Sequence, residues 1–428
     1  MRKGLSALIV ASILIFTFVI CGAANARVKG VCQACHTMHN SQGGQPMAKV
    51  SYVSSPSAQP FWSGNAINTG AANTSTPNEE LLRADCIGCH SNTGTQTIVS
   101  YMGNKVPIVH NTQKPAYEVP GANNALAGGN FYWTDPNSGG DFADNHGHNV
   151  FSQDQTLSSA PGLNDGNGHC PACHQSLYGP IMYGPVLTGC QACHYNTWHH
   201  KKKGASGGLT ANVNMYGQET NLSSTDPTYR FLSAPITMAY GWGTMFVEGI
   251  EDPNFEQSPS VTAHNVYMAN GASVSGAFVG APSGVNNSAN HSLSGFCAGC
   301  HGVFHEDQKD SGNVWIRHPV DVLVSSLVND GHEAESFFYN GPNGYGANKY
   351  DPAVPVAYDI ANPYGDFVSS YSTVDATHGQ VTCVSCHRTH ASPYPSMLRF
   401  NYNMMIAGNG TTAGGNGCFA CHTEKALE

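Results

Sequence analysis

The sequence contains few charged residues. They make up 11 % of its 428 residues, against roughly 25 % in an average soluble domain. Lysine and arginine together number 18 and aspartate and glutamate 28, which gives a formal charge of −10. A nucleic-acid-binding protein would carry a basic stripe, so this balance argues against one. Disorder is excluded as well, because 40 % of the residues are hydrophobic and 10 % are aromatic.

Long apolar runs are also scarce, and the one that stands out lies at the N-terminus. Leu5 to Ile20 follows Arg2 and Lys3 and leads to Ala24-Asn25-Ala26, which is the layout of a secretory signal peptide. The run is shorter than the roughly 20 residues needed to span a bilayer. We therefore expect residues 1–26 to be cleaved, leaving residues 27–428 as one exported domain without a transmembrane segment. A retained membrane anchor is the alternative.

Cysteine is nearly absent outside one motif. Fourteen of the 15 cysteines belong to seven copies of CxxCH, and the other, Cys21, lies in the expected signal peptide. Chance predicts about 0.03 copies of this haem-attachment pattern. Two thiols at this spacing can form thioethers with the two vinyl groups of a porphyrin, and the next residue, histidine, then binds the iron. A zinc site does not need histidine at that position, and a thioredoxin-type CxxC would occur once.

The seven motifs predict seven c-type haems, or one for about every 57 residues of the exported chain. Because 48 glycines and 24 prolines favour loops, we expect the haems to supply much of the core. The predicted thioether cysteines are Cys32, Cys35, Cys86, Cys89, Cys170, Cys173, Cys190, Cys193, Cys297, Cys300, Cys383, Cys386, Cys418 and Cys421. The predicted proximal iron ligands are His36, His90, His174, His194, His301, His387 and His422.

Histidine exceeds what the motifs need, since 21 are present and seven are proximal. His39 and His390 each follow a motif histidine by three residues, and His305 follows one by four. Side chains at this spacing share one helical face, so the second histidine cannot reach the opposite side of the same iron and should bind another. Seven distal ligands are expected among His39, His110, His148, His199, His305, His318, His378 and His390, with His169, His200 and His332 in reserve. His264 and His291 are expected to be unligated, and methionine stays an alternative sixth ligand.

Three further expectations concern the segments between the motifs. Asp135, Asn137, Asp141 and Asp144 could hold a calcium ion, although the bidentate glutamate of an EF-hand loop is missing. Short helical turns are expected around the CxxCH sites and near Glu79–Arg83. The stretch from Tyr195 to Phe296, which has no motif, should consist of loops and short strands.

Several segments resemble a known family, the hexahaem extracellular nanowire cytochromes of metal-reducing bacteria of the outer-membrane cytochrome S (OmcS) type. The resemblance rests on CQACHTMHNSQGG from Cys32, HGHNVF at 146–151, FCAGCHGVFH with IRHP downstream, CVSCHRTHASPYPSMLRFN from Cys383, and a last CxxCH near the C-terminus. It implies a multihaem cytochrome c fold, mostly coil with short helices and few short strands, wrapped around a chain of stacked bis-histidine haems. It also implies that His39 leaves its own subunit and binds the iron held by His387 of a neighbour. The sequence departs from this pattern at Cys170–His174 and Cys190–His194, where the family has one motif.

The resemblance implies an electron carrier rather than an enzyme. We expect a secreted protein at the outer cell surface that forms a homopolymer and passes respiratory electrons to redox partner cytochromes, an external metal oxide or another cell. One alternative is a monomeric periplasmic electron shuttle. A multihaem reductase of nitrite or hydroxylamine is less favoured, because it would need an iron with an open position and often a variant attachment motif.

Overall fold

The computed structural model describes the parts of the chain that surround several of the motifs. The longer described stretches are 90–101, 103–116, 125–138, 141–150, 229–238, 241–247, 249–259, 264–269, 292–298, 354–358 and 379–405. Shorter ones are 36–37, 41–42, 45–46, 82–83, 202–203 and 225–226, with the single residues 86, 190, 193, 194, 199, 301, 320 and 417.

Helices in the described residues are short and coincide with haem-attachment motifs. Helix α1 spans Leu293–Ala298 and α2 spans Cys383–Cys386, so each contains the first cysteine of a motif. Helix α2 begins after Thr382, whose side chain forms a reciprocal capping box with Ser385. Single 3-10 turns occupy Phe131–Thr134, Asp144–His146, Tyr229–Phe231, Pro395–Met397 and Tyr402–Met404. No helix in these stretches is long and apolar enough to cross a membrane.

Strands are brief but more numerous than expected. They are β1 (His36–Thr37), β2 (Ser41–Gln42), β3 (Gln45–Pro46), β4 (Leu82–Arg83), β5 (Ser91–Asn92), β6 (Ile98–Tyr101), β7 (Asn104–Pro107), β8 (His110–Asn111), β9 (Lys202–Lys203), β10 (Thr225–Asp226), β11 (Ser233–Met238), β12 (Gly241–Phe246), β13 (Gly249–Ile250), β14 (Val266–Met268), β15 (Ala357–Tyr358) and β16 (Gly379–Gln380). Two-residue ladders satisfy backbone hydrogen bonds in these described stretches, where the helices are short. The expected fold class, mostly coil with short helices, is confirmed in its coarse form.

Two of the expectations for the segments between motifs can be compared with the structure. Leu82–Arg83 is strand β4, paired antiparallel with β1, so the helical turn expected near Glu79–Arg83 is wrong at these two residues. The motif-free stretch after Tyr195 does contain short strands, as expected: β11 and β12 form an antiparallel hairpin, and β13 and β14 begin a small sheet.

The largest described core connects this sheet to two motifs. The sheet has the order β13-β14-β15-β16. Its buried side chains cluster with Leu293 of α1 and Val384 of α2, and the other members of the cluster are Tyr229, Val247, Tyr267, Ala269 and Ala357. The cysteines that begin two attachment motifs are therefore anchored on one apolar cluster.

A second packed region surrounds residues 387–392, which we call the central segment. Ala391, fully buried, bridges to Gly129 on one side and to Gly147 on the other. The chain at Gly129 has φ +75°, and a Cβ there would lie 1.9 Å from the carbonyl oxygen of Ala391. Glycine is required at this position because no side chain fits between the two backbones.

A pair of glycines tests this close approach. Gly103 also has positive φ, but nothing lies within 4 Å of an added Cβ. We expect Gly103→Ala to cost about 1 kcal/mol of unfolding free energy, because only the left-handed conformation is penalised. Gly129→Ala should cost about 2 kcal/mol more, because the Ala391 carbonyl has to move. Denaturant unfolding of both variants measures the difference, and equal losses would contradict the close contact.

Candidate haem centre

Three pairs of histidine rings face each other in the structure, and each pair joins one motif histidine to one from outside the motifs. His90 lies opposite His199, with ring centroids 6.4 Å apart. His194 lies opposite His390 at 6.2 Å, and His301 lies opposite His148 at 6.0 Å. All three outside members belong to the predicted distal set.

The separation of the rings fits a metal ion held between them. An imidazole nitrogen lies about 2 Å from a metal that it binds, and the ring centre lies roughly 1 Å behind that nitrogen, so two axial imidazoles place their centres about 6 Å apart. The observed separations of 6.0 to 6.4 Å match this value. Nitrogen ligands on both sides of an iron, beside a pair of motif thiols, form the donor set of a bis-histidine c-type haem.

Backbone carbonyls decide which ring nitrogen carries the proton. The Nδ1–H groups of three motif histidines donate to carbonyl oxygens: His90 to Pro107 at 2.8 Å, His194 to Arg230 at 3.0 Å and His387 to Ser396 at 2.7 Å. A carbonyl can only accept, so Nδ1 must be the protonated nitrogen and Nε2 keeps its lone pair. This is the tautomer that binds a metal through Nε2, with the other nitrogen held by the protein.

Two of the accepting carbonyls lie in strained backbone. Arg230 and Phe231 have φ of 48° and 58°, and Ser396 and Met397 have φ of 59° and 58°. Non-glycine residues rarely adopt this left-handed region, and each instance costs about 1–2 kcal/mol. Such strain is retained where the surrounding structure requires it, often at functional sites. Here it turns a carbonyl toward a motif imidazole.

The central segment positions two of the predicted distal histidines. The backbone of His390 donates to Gly128 O at 2.6 Å and accepts from His148 N at 3.0 Å. His148 in turn donates from Nδ1 to Thr389 O at 2.6 Å, while the ring of Phe131 stacks on that of His390 at 4.7 Å. His148 and His390 are therefore held by the same few backbone hydrogen bonds, although 242 residues separate them in the sequence.

Burial keeps these imidazoles neutral. It lowers the pKa of His194 to about 4 and that of His390 to about 3, and the neighbouring histidines contribute in the same direction. Burial also lowers the pKa of His90 and of His148, against hydrogen bonds from their rings to carbonyls. Neutral rings are the form that a metal ion requires.

His110 is placed differently from the paired histidines. It is fully buried, and its Nε2 lies 2.8 Å from Oδ2 of Asp135. Burial opposes ionisation of Asp135, but hydrogen bonds from His110 and Asn137 outweigh it and hold the carboxyl pKa below its ordinary value. The ionised carboxylate only accepts, so Nε2 of His110 carries a proton and is engaged with Asp135 rather than directed to a metal.

The acidic residues considered for calcium have separate partners. Asp141 accepts from the Tyr132 hydroxyl at 2.8 Å, and Asp144 accepts from Asn149 at 2.8 Å. Within the described residues no three histidine, cysteine, aspartate or glutamate side chains form a group suited to a metal ion. The structure thus gives the calcium interpretation no support.

Much of the predicted site lies outside the described residues. For the motif histidine His36 only the backbone is described, as part of β1. Wholly outside are the motif histidines His174 and His422, the distal candidates His39, His305, His318 and His378, and the cysteines Cys32, Cys35, Cys89, Cys170, Cys173, Cys300, Cys418 and Cys421. The described motif cysteines, Cys86, Cys190, Cys193, Cys297, Cys383 and Cys386, are all half-buried.

The residues missed by sequence reasoning are those that contribute carbonyls. Pro107, Arg230, Thr389 and Ser396 orient histidine rings through main-chain oxygens. Any residue type carries such an oxygen, so composition and spacing give no signal for them. Consecutive left-handed residues are a structural sign, but they are not visible in a sequence without glycine or asparagine at those positions.

The lowered pKa values predict a loss of stability in acid. An unfolded histidine titrates near 6.5, whereas burial lowers the pKa of His194 to about 4 and that of His390 to about 3 in the folded chain. Iron binding, which requires the neutral ring, opposes protonation in the same direction. Between these values the unfolded state binds more protons, so each imidazole costs about 1.4 kcal/mol of unfolding free energy per pH unit as the pH falls from 6.5 toward 4. Above pH 6.5 these two imidazoles do not make the free energy of unfolding depend on pH.

Denaturant unfolding of the haem-loaded protein across this range measures the effect. The Asp135 carboxylate is not involved, since its pKa lies below the ordinary 3.8 and it titrates in stronger acid. Unchanged stability from pH 6.5 to 4 would contradict the burial of these rings.

Comparisons with known proteins agree with this chemistry. A family model described as a doubled CXXCH motif matches residues 376–427. The chain is 22 % identical over 427 residues to the C-type cytochrome OmcS of Geobacter sulfurreducens, covering 94 % of this chain and 86 % of that one. Two solved structures of OmcS filaments from that organism match with TM-scores of 0.45 and 0.39, at 18 % and 20 % identity, over 94 % and 92 % of this chain and 93 % and 94 % of theirs. The chain is thus similar to the OmcS-type multihaem c-type cytochromes, and the resemblance seen in its motifs is confirmed.

Proposed function

We propose that the protein is a secreted electron-transfer cytochrome that holds seven bis-histidine c-type haems and polymerises into a filament carrying respiratory electrons to an external acceptor. The observation that carries this proposal is the set of three facing imidazole pairs, at 6.0 to 6.4 Å. At these three positions a second imidazole lies near the motif histidine, which supports a sixth ligand from the protein rather than an open site for a substrate. Bound haem supplies reversible one-electron exchange at its iron.

The proposed ligands follow from these pairs. His199 opposes His90, His390 opposes His194, and His148 opposes His301. The fourteen motif cysteines supply the thioethers, and the seven motif histidines are the proximal ligands. His110 is left out of the distal set because its Nε2 is committed to Asp135. His39, His305, His318 and His378 keep their predicted roles, with His39 serving the iron of His387 in a neighbouring subunit.

Short stretches of chain link successive iron positions. His194 and His199, five residues apart, belong to two different pairs, so this stretch joins the iron position of His90 to that of His194. His387 and His390 join the position of His194 to the next, since His390 opposes His194. His148, which lies near His301, donates a hydrogen bond to Thr389 O, so the iron position of His301 also lies beside the central segment. An extended chain spans at most about 3.6 Å per residue, so linkers of three to five residues keep the iron positions that they join close together.

Export and assembly complete the proposal. Residues 1–26 direct secretion, and residues 27–428 form a single domain at the outer cell surface. Polymerisation is supported by the CHTMH segment that carries His39 and by similarity to OmcS, whose solved structures are described as filaments and nanowires. Electron acceptors would be other cytochromes, a metal oxide or another cell.

The enzyme alternative is disfavoured by the same geometry. A nitrite or hydroxylamine reductase needs an iron with one open position, and in each described pair a histidine fills that position. A monomeric periplasmic shuttle would use the same ligands and differs only in its failure to assemble, so assembly must be tested directly.

Removing one distal ligand at a time tests the ligand assignments. We expect His148→Ala, His199→Ala and His390→Ala each to convert one haem from low spin to high spin, because one axial nitrogen is lost while the thioethers remain. Electron paramagnetic resonance of the oxidised protein counts the two spin states. His110→Gln is the matched control: it is a buried histidine change that should leave every haem low spin. A high-spin signal in the control, or none in the other three variants, would overturn the assignments.

Imaging tests the filament. The purified protein should form fibres, and His39→Ala should abolish or shorten them, because the neighbour's iron at His387 would lose its ligand. His110→Gln should assemble like the unaltered protein. Normal fibres from His39→Ala would show that this histidine is not the link between subunits, and a protein that stays monomeric would favour the shuttle.

A further inference from the structure

Arg399 is a half-buried cation beside the haem-attachment motif of α2. Its Nε donates to Val384 O at 2.5 Å, and Val384 lies between Cys383 and Cys386, the two cysteines of that motif. Its backbone nitrogen donates to Cys386 O at 2.8 Å. This one residue therefore contacts the motif through both its main chain and its side chain.

The guanidinium of Arg399 is held at a second point. Its Nη2 donates to Ala127 O at 3.4 Å, so the group joins the motif to a segment 272 residues earlier in the chain. The neighbouring carbonyl, Leu126 O, accepts from Nη1 of Arg388 at 2.8 Å. Arg388 directly follows the motif histidine His387. Two guanidinium groups are thus fixed on consecutive carbonyls beside one attachment motif.

The charge of Arg399 is not paired with a carboxylate in the described stretches. Both side-chain partners that it has there are carbonyl oxygens. The arginine whose carbonyl orients His194 differs, because the guanidinium of Arg230 lies 3.7 Å from the carboxylate of Glu251 and the two charges offset each other. A cation that is hydrogen-bonded only to carbonyls keeps the field that its charge produces.

The charge of Arg399 acts on the core cluster that contains Val384. Burial raises the pKa of the Tyr267 hydroxyl well above its ordinary value, and the charge of Glu256 adds to this effect. The charge of Arg399 acts on the same hydroxyl in the opposite direction. Tyr267 and Val384 belong to one apolar cluster, so the field of the guanidinium extends into the interior against which α2 packs.

A fixed positive charge at this place changes the redox equilibrium of a haem attached to α2. A ferric haem with two neutral axial imidazoles carries one more positive charge than its ferrous form. A nearby cation therefore disfavours the ferric form and raises the reduction potential. The effect is largest where solvent is excluded, because water and salt screen a charge that is exposed.

We propose that Arg399 raises the reduction potential of the haem attached at Cys383 and Cys386, so that this haem accepts electrons more readily. This inference rests on the proposed haem at that motif, whose two cysteines and histidine, His387, all lie in the described residues and are all half-buried. The step is the uptake of one electron from an adjacent haem by ferric iron to give ferrous iron, and no bond is made or broken.

Removing the charge tests the proposal. A nearby unit charge shifts a proton equilibrium by about tenfold or more. In Arg399→Gln we expect a similar loss of about tenfold in the ratio of reduced to oxidised form of one haem, which is about 59 mV for a one-electron couple. A spectroelectrochemical titration of the haem-loaded protein should show one seventh of the absorbance change moved to lower potential. Intact mass should still show seven haems, and electron paramagnetic resonance should show all of them low spin, because no ligand is changed.

Arg399→Lys and Lys105→Gln are the matched controls. Lysine keeps the positive charge of Arg399 but not the forked geometry of its donors, so the titration curve should stay in place. Lys105 is an exposed cation in β7, the strand that ends at Pro107, whose carbonyl orients His90. Lys105→Gln removes the same charge near another motif histidine, and solvent screening should leave every potential unchanged.

Three results would overturn the proposal: no shift in Arg399→Gln, an equal shift in Lys105→Gln, or a shift in Arg399→Lys as large as that in Arg399→Gln, which would make the role of the residue structural. Arg399→Met also removes the charge and keeps an unbranched side chain, so it provides the same measurement if the glutamine variant does not fold. A failure of the wider proposal looks different: the unaltered protein would carry fewer than seven haems, or His148→Ala and His199→Ala would leave every haem low spin.

Discussion

The described part of the site repeats one kind of interaction, the hydrogen bond from a half-buried imidazole to a backbone carbonyl. Such a bond fixes the proton on Nδ1, points Nε2 away from the carbonyl and sets the rotation of the ring. His90, His148, His194 and His387 all make it. Because the acceptor belongs to the main chain, the direction of each of these four rings is determined by the course of the backbone and not by the packing of flexible side chains. The described stretches, whose helices and strands are short, can thus orient these ring nitrogens.

The central segment shows what this arrangement requires of the fold. Two distant stretches, around Gly129 and around Gly147, must lie against Ala391 closely enough to hydrogen-bond, and glycine permits that approach. Asn130 donates to Ala391 O at 3.1 Å and Ser392 donates to His146 O at 2.9 Å, which closes the segment on both sides. The left-handed residues at Arg230 and Ser396 add a local cost of about 1–2 kcal/mol each. Metal binding, which adds its free energy to folding, can offset such costs.

The sequence predicted c-type haem attachment, and the choice of distal ligands stays a prediction. Adjacent residues carry the CxxCH motif, so its seven copies, and the helical turn at Cys383–Cys386, could be read directly. Three of the predicted distal candidates, His148, His199 and His390, each lie near a motif histidine in the structure. The sequence placed His110 among the distal candidates and expected His264 to be unligated, but it could not give their tautomers, because the carboxylate of Asp135 and the carbonyl of Asn265 reach these rings only on folding. The helical turn predicted at Leu82–Arg83 was wrong for a related reason. These residues form a strand whose partner, β1, lies more than forty residues away in the sequence.

The scarcity of charge takes on a different meaning once the described residues are placed. Three carboxylates, those of Glu256, Asp252 and Asp135, are almost fully buried, although charged residues make up only 11 % of the sequence. Buried charge is costly unless hydrogen bonds satisfy it. The carboxylates of Asp135 and Glu256 each accept more than one, and that of Asp252 accepts from the backbone of Glu256. Glu256 fixes Asn265 beside His264, and Asp135 fixes His110 directly. Among the described residues, two buried carboxylates, Glu256 and Asp135, therefore act directly or through a neighbour on the tautomer and direction of a histidine ring.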